Sequence, residues 1–357
     1  MSSHLLRLVV LYGGVSAEHD VSRVTAAHVI AAADPTKYDV LPLGIGKDGV
    51  WVRNDKVIAV LAEGTPLPGE LQIEGTPVDP LTELRSPSSA ITVVLPLLHG
   101  PHGEDGTIQG MLELFRLPYV GAGVLSSSVC MDKAMAKVVA AQAGIPQCRW
   151  IEFRDGVDDP KTVTFEAIEA LGLPVFVKPA NMGSSVGITK AHDAAELDAA
   201  INLALRYDDT VVIEELVTGR EIEVAVLGNA LPETSVPGEI VPGSEFYDYA
   251  DKYLTGAAEL VIPAPIAEDA AAEVRELAAK VFTALRCSGL ARVDFFYEES
   301  GRGWLLNEVN TIPGFTPASM YPKLWAATGV GYAELIDRLV ALALAAHRRR
   351  SGLSTEV

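Results

Sequence analysis

Residues 178–187 read Lys-Pro-Ala-Asn-Met-Gly-Ser-Ser-Val-Gly. A lysine closes an apolar stretch, and the chain then enters a turn rich in glycine and serine. Glycine lets backbone N–H groups approach an anion closely, serine adds hydroxyl donors, and the lysine supplies a charge that can pair with a phosphate. By composition alone, the same segment also fits an ordinary hairpin with an exposed lysine. A second group is acidic. Asp294 sits in Ala-Arg-Val-Asp-Phe, and Glu308 and Asn310 sit in Leu-Leu-Asn-Glu-Val-Asn-Thr-Ile-Pro-Gly-Phe. Glu308 and Asn310 are two residues apart and face one side of a strand, and Asp294 on a neighbouring strand could converge with them. Two carboxylates and an amide oxygen form an oxygen-only site that suits Mg²⁺ bridged to phosphates. Arg292 shares the face of Asp294 and could stabilise developing negative charge. Read alone, these residues also fit a structural arginine–carboxylate network. Together, the loop and the acids favour a nucleotide–metal site.

Other motifs fall away. Gly44-Ile45-Gly46-Lys47-Asp48-Gly49 fits GxGxxG, but Val50-Trp51-Val52 follows it. That is a strand, which offers a pyrophosphate no helix N-terminus. The sequence contains no GxxxxGK[ST] or HExxH pattern, so the P-loop and zincin readings lack support.

The elements that must hold these residues alternate. Leu5–Tyr12 is a continuous apolar run that ends in Gly13-Gly14, which reads as a buried strand and a tight loop. A helix is expected over Ser22–Ala33, strands over Asp39–Ile45, Val50–Arg53 and Ala90–Leu98, and a helix over Thr107–Phe115. Residues 63–90, rich in Pro, Gly, Ser and Thr, read as a weakly structured insertion. This pattern predicts a parallel α/β sheet for the first part of the chain. One helix is expected over Ser126–Ala143. Strands at Arg149–Phe153, Pro174–Lys178 and Thr210–Glu214 and a helix at Ala194–Arg206 then suggest a small α+β unit. Beyond Gly219 come a strand at Glu221–Leu227, a polar aromatic loop at Gly243–Gly256 and a helix at Glu268–Leu285. Strands at Leu290–Tyr297 and Trp304–Glu308, a loop to Pro322 and a helix at Tyr332–His347 complete the chain. The expected domains are 1–121, 122–219 and 220–357.

Across 357 residues, 28 Lys and Arg stand against 47 Asp and Glu, a formal net charge of −19. That argues against a nucleic-acid or anionic-membrane binder, which needs basic surface. A small phosphorylated ligand needs only a few local cations. The three cysteines, Cys130, Cys148 and Cys287, form no CxxC pair. They read as small, buried, reduced side chains in a cytoplasmic protein. The N-terminus reads as a first strand and not a signal peptide, and no apolar run approaches the length of a membrane span.

Five stretches carry a family resemblance: residues 13–22 (Gly-Gly-Val-Ser-Ala-Glu-His-Asp-Val-Ser), 99–106 (His-Gly-Pro-His-Gly-Glu-Asp-Gly), 178–187, 247–253 (Tyr-Asp-Tyr-Ala-Asp-Lys-Tyr) and 307–322. They resemble the D-alanine–D-alanine ligase family of ATP-grasp enzymes, in family order over almost the entire chain. Asp20 stands where that family commonly has glutamate.

The resemblance implies a three-domain ATP-grasp architecture. Its N-terminal domain is parallel α/β, and nucleotide binds between the central and C-terminal domains. It implies ATP-dependent ligation of two D-alanines through an acylphosphate, with ADP and phosphate released, for bacterial peptidoglycan precursors. Two Mg²⁺ ions, replaceable by Mn²⁺, are implied on Asp294, Glu308 and Asn310, and relatives suggest a homodimer through the N-terminal domain. Glu18 resembles the acid that pairs with the first D-alanine's ammonium, and Ser184 and Tyr253 resemble its hydrogen-bond partners. His99 resembles a histidine near that substrate's carboxylate. Arg292 and the Gly314 loop resemble the holders of the oxyanion, and Ser319 and Met320 the pair that binds the second D-alanine's carboxylate. For ATP, Lys133, Lys178 and Lys252 resemble phosphate-binding cations, and Ser185 and Asn307 join the nucleotide set. Glu214 resembles an acceptor for the adenine amino group, with backbone at Glu215, Leu216 and Val217, and Glu221 an acceptor for the ribose. Read alone, Lys133 fits an exposed helix lysine, Glu214 a solvated strand end and His99 a structural histidine. Residues 244–257 are expected to form a lid that excludes water from the acylphosphate. Two other readings stand beside the dipeptide ligase. One is a ligase that accepts D-lactate or D-serine, which the tyrosine at 253 disfavours. The other is a non-catalytic ATP-binding protein, which the full set of charged residues disfavours.

Overall fold

The computed structural model describes residues 5–85, 90–183, 185–243 and 258–354. The first unit contains β1 (Leu6–Gly13), α1 (His19–Ala32), β2 (Tyr38–Ile45), β3 (Trp51–Arg53), α2 (Asp55–Glu63), β4 (Thr76–Pro77), α3 (Pro80–Leu84), β5 (Thr92–Pro96) and α4 (Thr107–Leu114). Its sheet runs β4-β3-β2-β1-β5. β1 pairs in parallel with β2 and β5, whereas β3 and β4 join antiparallel. The parallel expectation therefore holds for the centre of the sheet but not for its edge. At the C-terminal end of β1, Gly13 has φ +88°, and a Cβ there would lie 2.3 Å from the Ile45 carbonyl oxygen. Only glycine makes that turn into α1, which begins at His19 and not at Ser22.

The stretch read as a weakly structured insertion carries β4 and α3 and buries Leu71 completely. Asp79 caps α3 by accepting from Thr82 N–H at 2.8 Å. Helix α2 was not expected. It is capped by Asn54, which accepts from Val57 N–H, and ends at left-handed Gly64. Asparagine before a helix and glycine after it are the residue types that such ends favour.

The second stretch contains α5 (Val124–Met131), α6 (Lys133–Gln142), β6 (Trp150–Arg154), α7 (Pro160–Leu171), β7 (Val175–Pro179), β8 (Thr189–Ala191), α8 (Ala194–Ala204) and β9 (Thr210–Glu215). Its antiparallel sheet runs β6-β9-β7-β8. The single helix expected over Ser126–Ala143 is two helices. Asp132 adopts an extended conformation between them, and its carboxylate accepts from Met135 N–H at 2.9 Å. This aspartate is an N-cap in the middle of an apolar run. Helix α7, also unexpected, starts on the Asp159-Pro160 cap signal.

The third stretch contains β10 (Arg220–Gly228), β11 (Glu233–Thr234), β12 (Gly238–Val241), β13 (Glu259–Val261), α9 (Glu268–Ala284), β14 (Gly289–Glu298), β15 (Gly303–Asn310), α10 (Met320–Ala327) and α11 (Tyr332–Ser351). Its sheet runs β13-β12-β10-β14-β15, with β11 on β10. Strands β12 and β13 and helix α10 were not anticipated. Packing crosses the expected domain cuts. Trp325, Leu335, Ile336, Leu339 and Val340 share one apolar core with Leu8, Val10 and Tyr12 of β1. Cys130, Ala140 and Ile145 of the α5–α6 region pack instead with β10, β14 and α9. All three cysteines are free and buried, as expected. No described helix is long and apolar enough to cross a membrane.

Candidate functional site

A cavity of about 480 Å³ opens between the four-stranded and six-stranded sheets. Its walls include Lys133, Lys178, Ser185, Glu214, Glu215, Leu216, Val217, Glu221 and Asn307, together with Arg292, Asp294 and Glu308. A second cavity of about 910 Å³ adjoins it and reaches α1 and the loops at Glu70, His99 and Glu104 of the N-terminal unit. Glu18, His99, Asn310, Gly314, Ser319 and Met320 line that one, and Lys133, Arg292 and Glu308 face both. Sequence reading placed these residues in one site, and folding brings them into two joined chambers. Ser184, Lys252, Tyr253 and the whole 244–257 segment lie outside the described residues.

The cationic wall is built by β7, α6 and β9. Lys178 is the residue before the last of β7, and its Nζ lies 2.7 Å from Glu214 Oε2; Lys137 Nζ lies 2.9 Å from Glu214 Oε1. Burial pushes the Glu214 carboxyl up, but the two lysines outweigh it and hold it at about 2. The same pair keeps Lys178 charged: burial works against its ammonium, and Glu214 more than restores it. Glu214 was expected to present its side chain to adenine. In the structure its carboxylate lies between Lys178 and Lys137 and still lines the smaller cavity. Glu215 is turned the other way, with Arg149 Nε at 2.7 Å and Arg302 also on its carboxylate. That leaves the backbone of 215–217 on the cavity wall. Lys133, first residue of α6, donates to the Met182 carbonyl at 2.6 Å. Ser185 has φ +59° and Gly187 φ +74°. Val186 N–H donates to the Gly183 carbonyl at 3.1 Å and Ile188 N–H to the Ser185 carbonyl at 3.3 Å.

The acidic wall comes from β14 and β15. Asp294 pairs directly with Glu308 across the two strands, and Arg292 with Asn310; the register slips just after Asp294. Arg292 donates to both Asp294 oxygens at 2.8 and 2.7 Å and lies 3.0 Å from Glu223 Oε2. Asn310 Nδ2 donates to Asp294 at 2.9 Å. Burial opposes the Arg292 charge, but Asp294 and Glu223 raise its pKa well above the ordinary arginine value. Among the described residues, no three or more His, Cys, Asp or Glu form a ready metal cluster. The donors are nevertheless hard oxygens at adjacent register positions, and a cation reaching Asp294 would have to compete with Arg292 for it.

The third wall comes from the N-terminal unit. Glu18, at the N-cap of α1, is buried. A Cβ on Gly183 would lie 3.0 Å from its Oε2, and one on Gly100 3.1 Å away. Two loops from different units thus close on this carboxylate because both carry glycine. His99 is buried, and its Nδ1 contacts the Ile312 carbonyl oxygen at 2.9 Å. Its Nε2 has no partner among the described residues. Glu104 joins the same two loops, accepting from Gly100 N–H at 2.8 Å and Ile312 N–H at 2.9 Å. Burial and the Glu18 charge push its carboxyl up to about 8.

Sequence reasoning gave no role to Glu104, Lys137, Glu223 or Lys323. Two of these carried a spacing signal: Lys137 is one helical turn after Lys133, and Glu223 is two strand positions after Glu221. Each repeats the face of a residue already chosen.

Two family models match the chain: "D-ala D-ala ligase N-terminus" over residues 7–122 and "D-ala D-ala ligase C-terminus" over 139–341. A D-alanine–D-alanine ligase of Bacillus pumilus is 48% identical over 359 residues, covering 98% of this chain and 99% of the relative. The solved D-alanine–D-alanine ligase of Coxiella burnetii superposes with a TM-score of 0.82 at 35% identity, over 97% of this chain and 96% of that one. The VanG D-Ala:D-Ser ligase of Enterococcus faecalis superposes with a TM-score of 0.81 at 35% identity, over 95% of this chain and 100% of that one.

Proposed function

The chain belongs to the D-alanine–D-alanine ligase family, and from that premise we propose how its two chambers divide the joining of two D-alanines at the expense of ATP. It has the ATP-grasp fold and is a ligase of peptidoglycan precursor synthesis. The observation that carries the division of labour is the shared wall: Lys133, Arg292 and Glu308 face both chambers. The smaller chamber takes ATP. Adenine lies against the backbone of Glu215, Leu216 and Val217, and the ribose hydroxyls against Glu221. Lys133, Lys178, Ser185 and Asn307 face the phosphates, with Lys252 added from the 244–257 segment. Glu214 keeps Lys178 charged and fixed.

The larger chamber takes the amino acids. Glu18, with Ser184 and Tyr253 as its hydrogen-bond partners, receives the first ammonium, and His99 stands near the first carboxylate. The γ-phosphoryl group passes to that carboxylate oxygen, and ADP leaves. A carboxylate is a poor electrophile, and this step converts it to an acylphosphate. The second amine then attacks the acyl carbon, a C–N bond forms, and phosphate departs with the C–O bond. Arg292 and backbone N–H of the Gly314 loop hold the oxyanion of the tetrahedral intermediate. Ser319 and Met320 receive the second carboxylate. Asp294, Glu308 and Asn310 would hold Mg²⁺, as two ions with Mn²⁺ able to substitute. The metal neutralises phosphate charge when bound. Residues 244–257 act as a lid over the acylphosphate. A cytoplasmic homodimer, joined through the N-terminal unit, completes this reading.

The similarity to a D-Ala:D-Ser ligase makes D-serine the acceptor to test against D-alanine. Phosphate release from ATP and Mg²⁺ is measured with D-alanine, L-alanine, D-serine and D-lactate, singly and in pairs. Release with D-alanine alone, absent with L-alanine, is expected. Release only when D-serine or D-lactate is added would overturn the choice of second substrate.

A further inference from the structure

Two D-alanines enter the larger cavity as zwitterions, so two carboxylates need partners there. Among the described residues, the cations that line this cavity are Lys133, Arg292 and Lys323. Lys133 already donates to the Met182 carbonyl oxygen, and Arg292 is held by Asp294 and Glu223. Lys323 differs: no hydrogen bond or ion pair joins its side chain to any described residue. Six acids also line the cavity, Glu18, Asp20, Glu70, Glu104, Glu223 and Glu308, and none forms an ion pair with Lys323. Asp20 and Glu70 are both paired with Arg23, at 2.9 and 3.0 Å. An ammonium that lines a cavity and pairs with no described carboxylate is disposed toward an anionic ligand.

Its position says which anion. Lys323 lies in the first turn of α10, four residues after Ser319, so the two share one helix face. Helical side chains lean toward the helix N-terminus, which carries the lysine stem back toward Ser319 and Gly314. Ser319 Oγ accepts from Thr316 N–H at 3.1 Å and does not cap its own helix. The N–H groups of Met320 and Tyr321 are therefore left without a side-chain cap at the same end of the helix.

We infer that Lys323 is the charged partner of the second substrate's carboxylate. This rests on the two-chamber ligase reading and extends it by one substrate-binding residue. The acyl-accepting amino acid must then carry a free carboxylate. Lys323 reads a group that D-alanine, D-serine and D-lactate share, so it demands an acid without choosing among these three.

The test separates the two half-reactions. Hydroxylamine is a neutral nucleophile with no carboxylate. It intercepts the acylphosphate, forming D-alanyl hydroxamate and releasing phosphate, without using the second carboxylate site. Lys323→Met is expected to raise KM for the second D-alanine about ten- to a hundredfold, the scale of losing a hydrogen bond to a charged group. The same variant should keep wild-type hydroxamate formation, and Lys323→Arg should recover most of the lost affinity. The ratio of D-alanine to D-serine use should be unchanged. An unaltered second KM in Lys323→Met would overturn the assignment, as would an equal loss of dipeptide and hydroxamate, which marks a merely structural lysine. Absence of hydroxamate from the wild-type enzyme would instead count against the acylphosphate itself.

Discussion

At the scale of single residues, charge pairs set the chemistry. Glu214 is the clearest case, because one carboxylate serves two buried lysines. Glu214→Gln leaves Lys137 and Lys178 without their counter-charge, and a loss of about 3–5 kcal/mol in urea unfolding at neutral pH is expected. The sign with pH follows from its depressed value of about 2. The stabilisation is present above the ordinary carboxylate range and is lost as pH falls through that range toward about 2. A variant within 0.5 kcal/mol of wild type by the usual scatter of surface changes would refute it. Glu104 behaves oppositely. Its value of about 8 means the folded chain holds a proton that the unfolded chain releases in the ordinary carboxylate range. Stability should therefore fall as pH rises toward about 8 and level off above it. Glu104→Gln should flatten that part of the curve in pH-resolved thermal melts, and an unchanged slope would assign it to other groups. For Arg292→Ala, a rise of roughly 3–4 kcal/mol in the barrier for dipeptide formation is expected, the scale of one lost oxyanion donor. Near-normal kcat would remove Arg292 from that role.

At the scale of elements, caps and glycines decide where side chains point. The Asp132 cap ends one helix and begins another, and so aims Lys133 at the cavity. At the start of β14, Gly289 has φ +73°, and a Cβ there would meet Gly121 backbone nitrogen at 2.8 Å. Gly289→Ala combines a disfavoured backbone conformation with a backbone clash, and about 1–3 kcal/mol of destabilisation is expected. Because β14 carries Arg292 and Asp294, kcat should fall with it. A variant with normal stability and turnover would mean the strand start shifts freely. Strands β1, β7, β9, β14 and β15 were legible from their apolar runs, because buried strands read continuously in sequence. Strands β12 and β13, of four and three residues, were not, since so short a run carries no period of its own. Helix α10 was hidden by its Pro322, which is tolerated only because it falls in the first turn.

At the scale of the whole molecule, the chain returns to its start. Trp325 and the α11 residues Leu335, Ile336, Leu339 and Val340 join the apolar core that also holds Leu8, Val10 and Tyr12 of β1, and Tyr38 OH donates to Asp337 at 2.6 Å. The N-terminal segment builds one core from its own residues, around Leu11, Leu43 and Leu112, but shares the other with α10 and α11. A chain of residues 1–121 alone is expected to show no cooperative thermal transition by circular dichroism. A sharp transition would show that the α10–α11 cover is dispensable. This packing also ties the larger cavity to the C-terminal helices, since α10 brings Ser319 and Lys323 to it while Trp325 lies in the core.

What the sequence determined by itself was local: strand ends carrying Lys178 and Glu308, a glycine-rich turn, and residue pairs that share a strand face. These follow from periodicities of two and 3.6 and from the chemistry of each side chain. Tertiary structure decided which charges meet. Glu214 faces two lysines from other elements, Glu104 sits between the Gly100 and Ile312 loops, and Lys323 faces a cavity in which the other described cations are engaged. Such pairings join positions up to hundreds of residues apart. Only folding sets their distance and dielectric surroundings, and with them the proton affinity and charge that each group carries into the reaction.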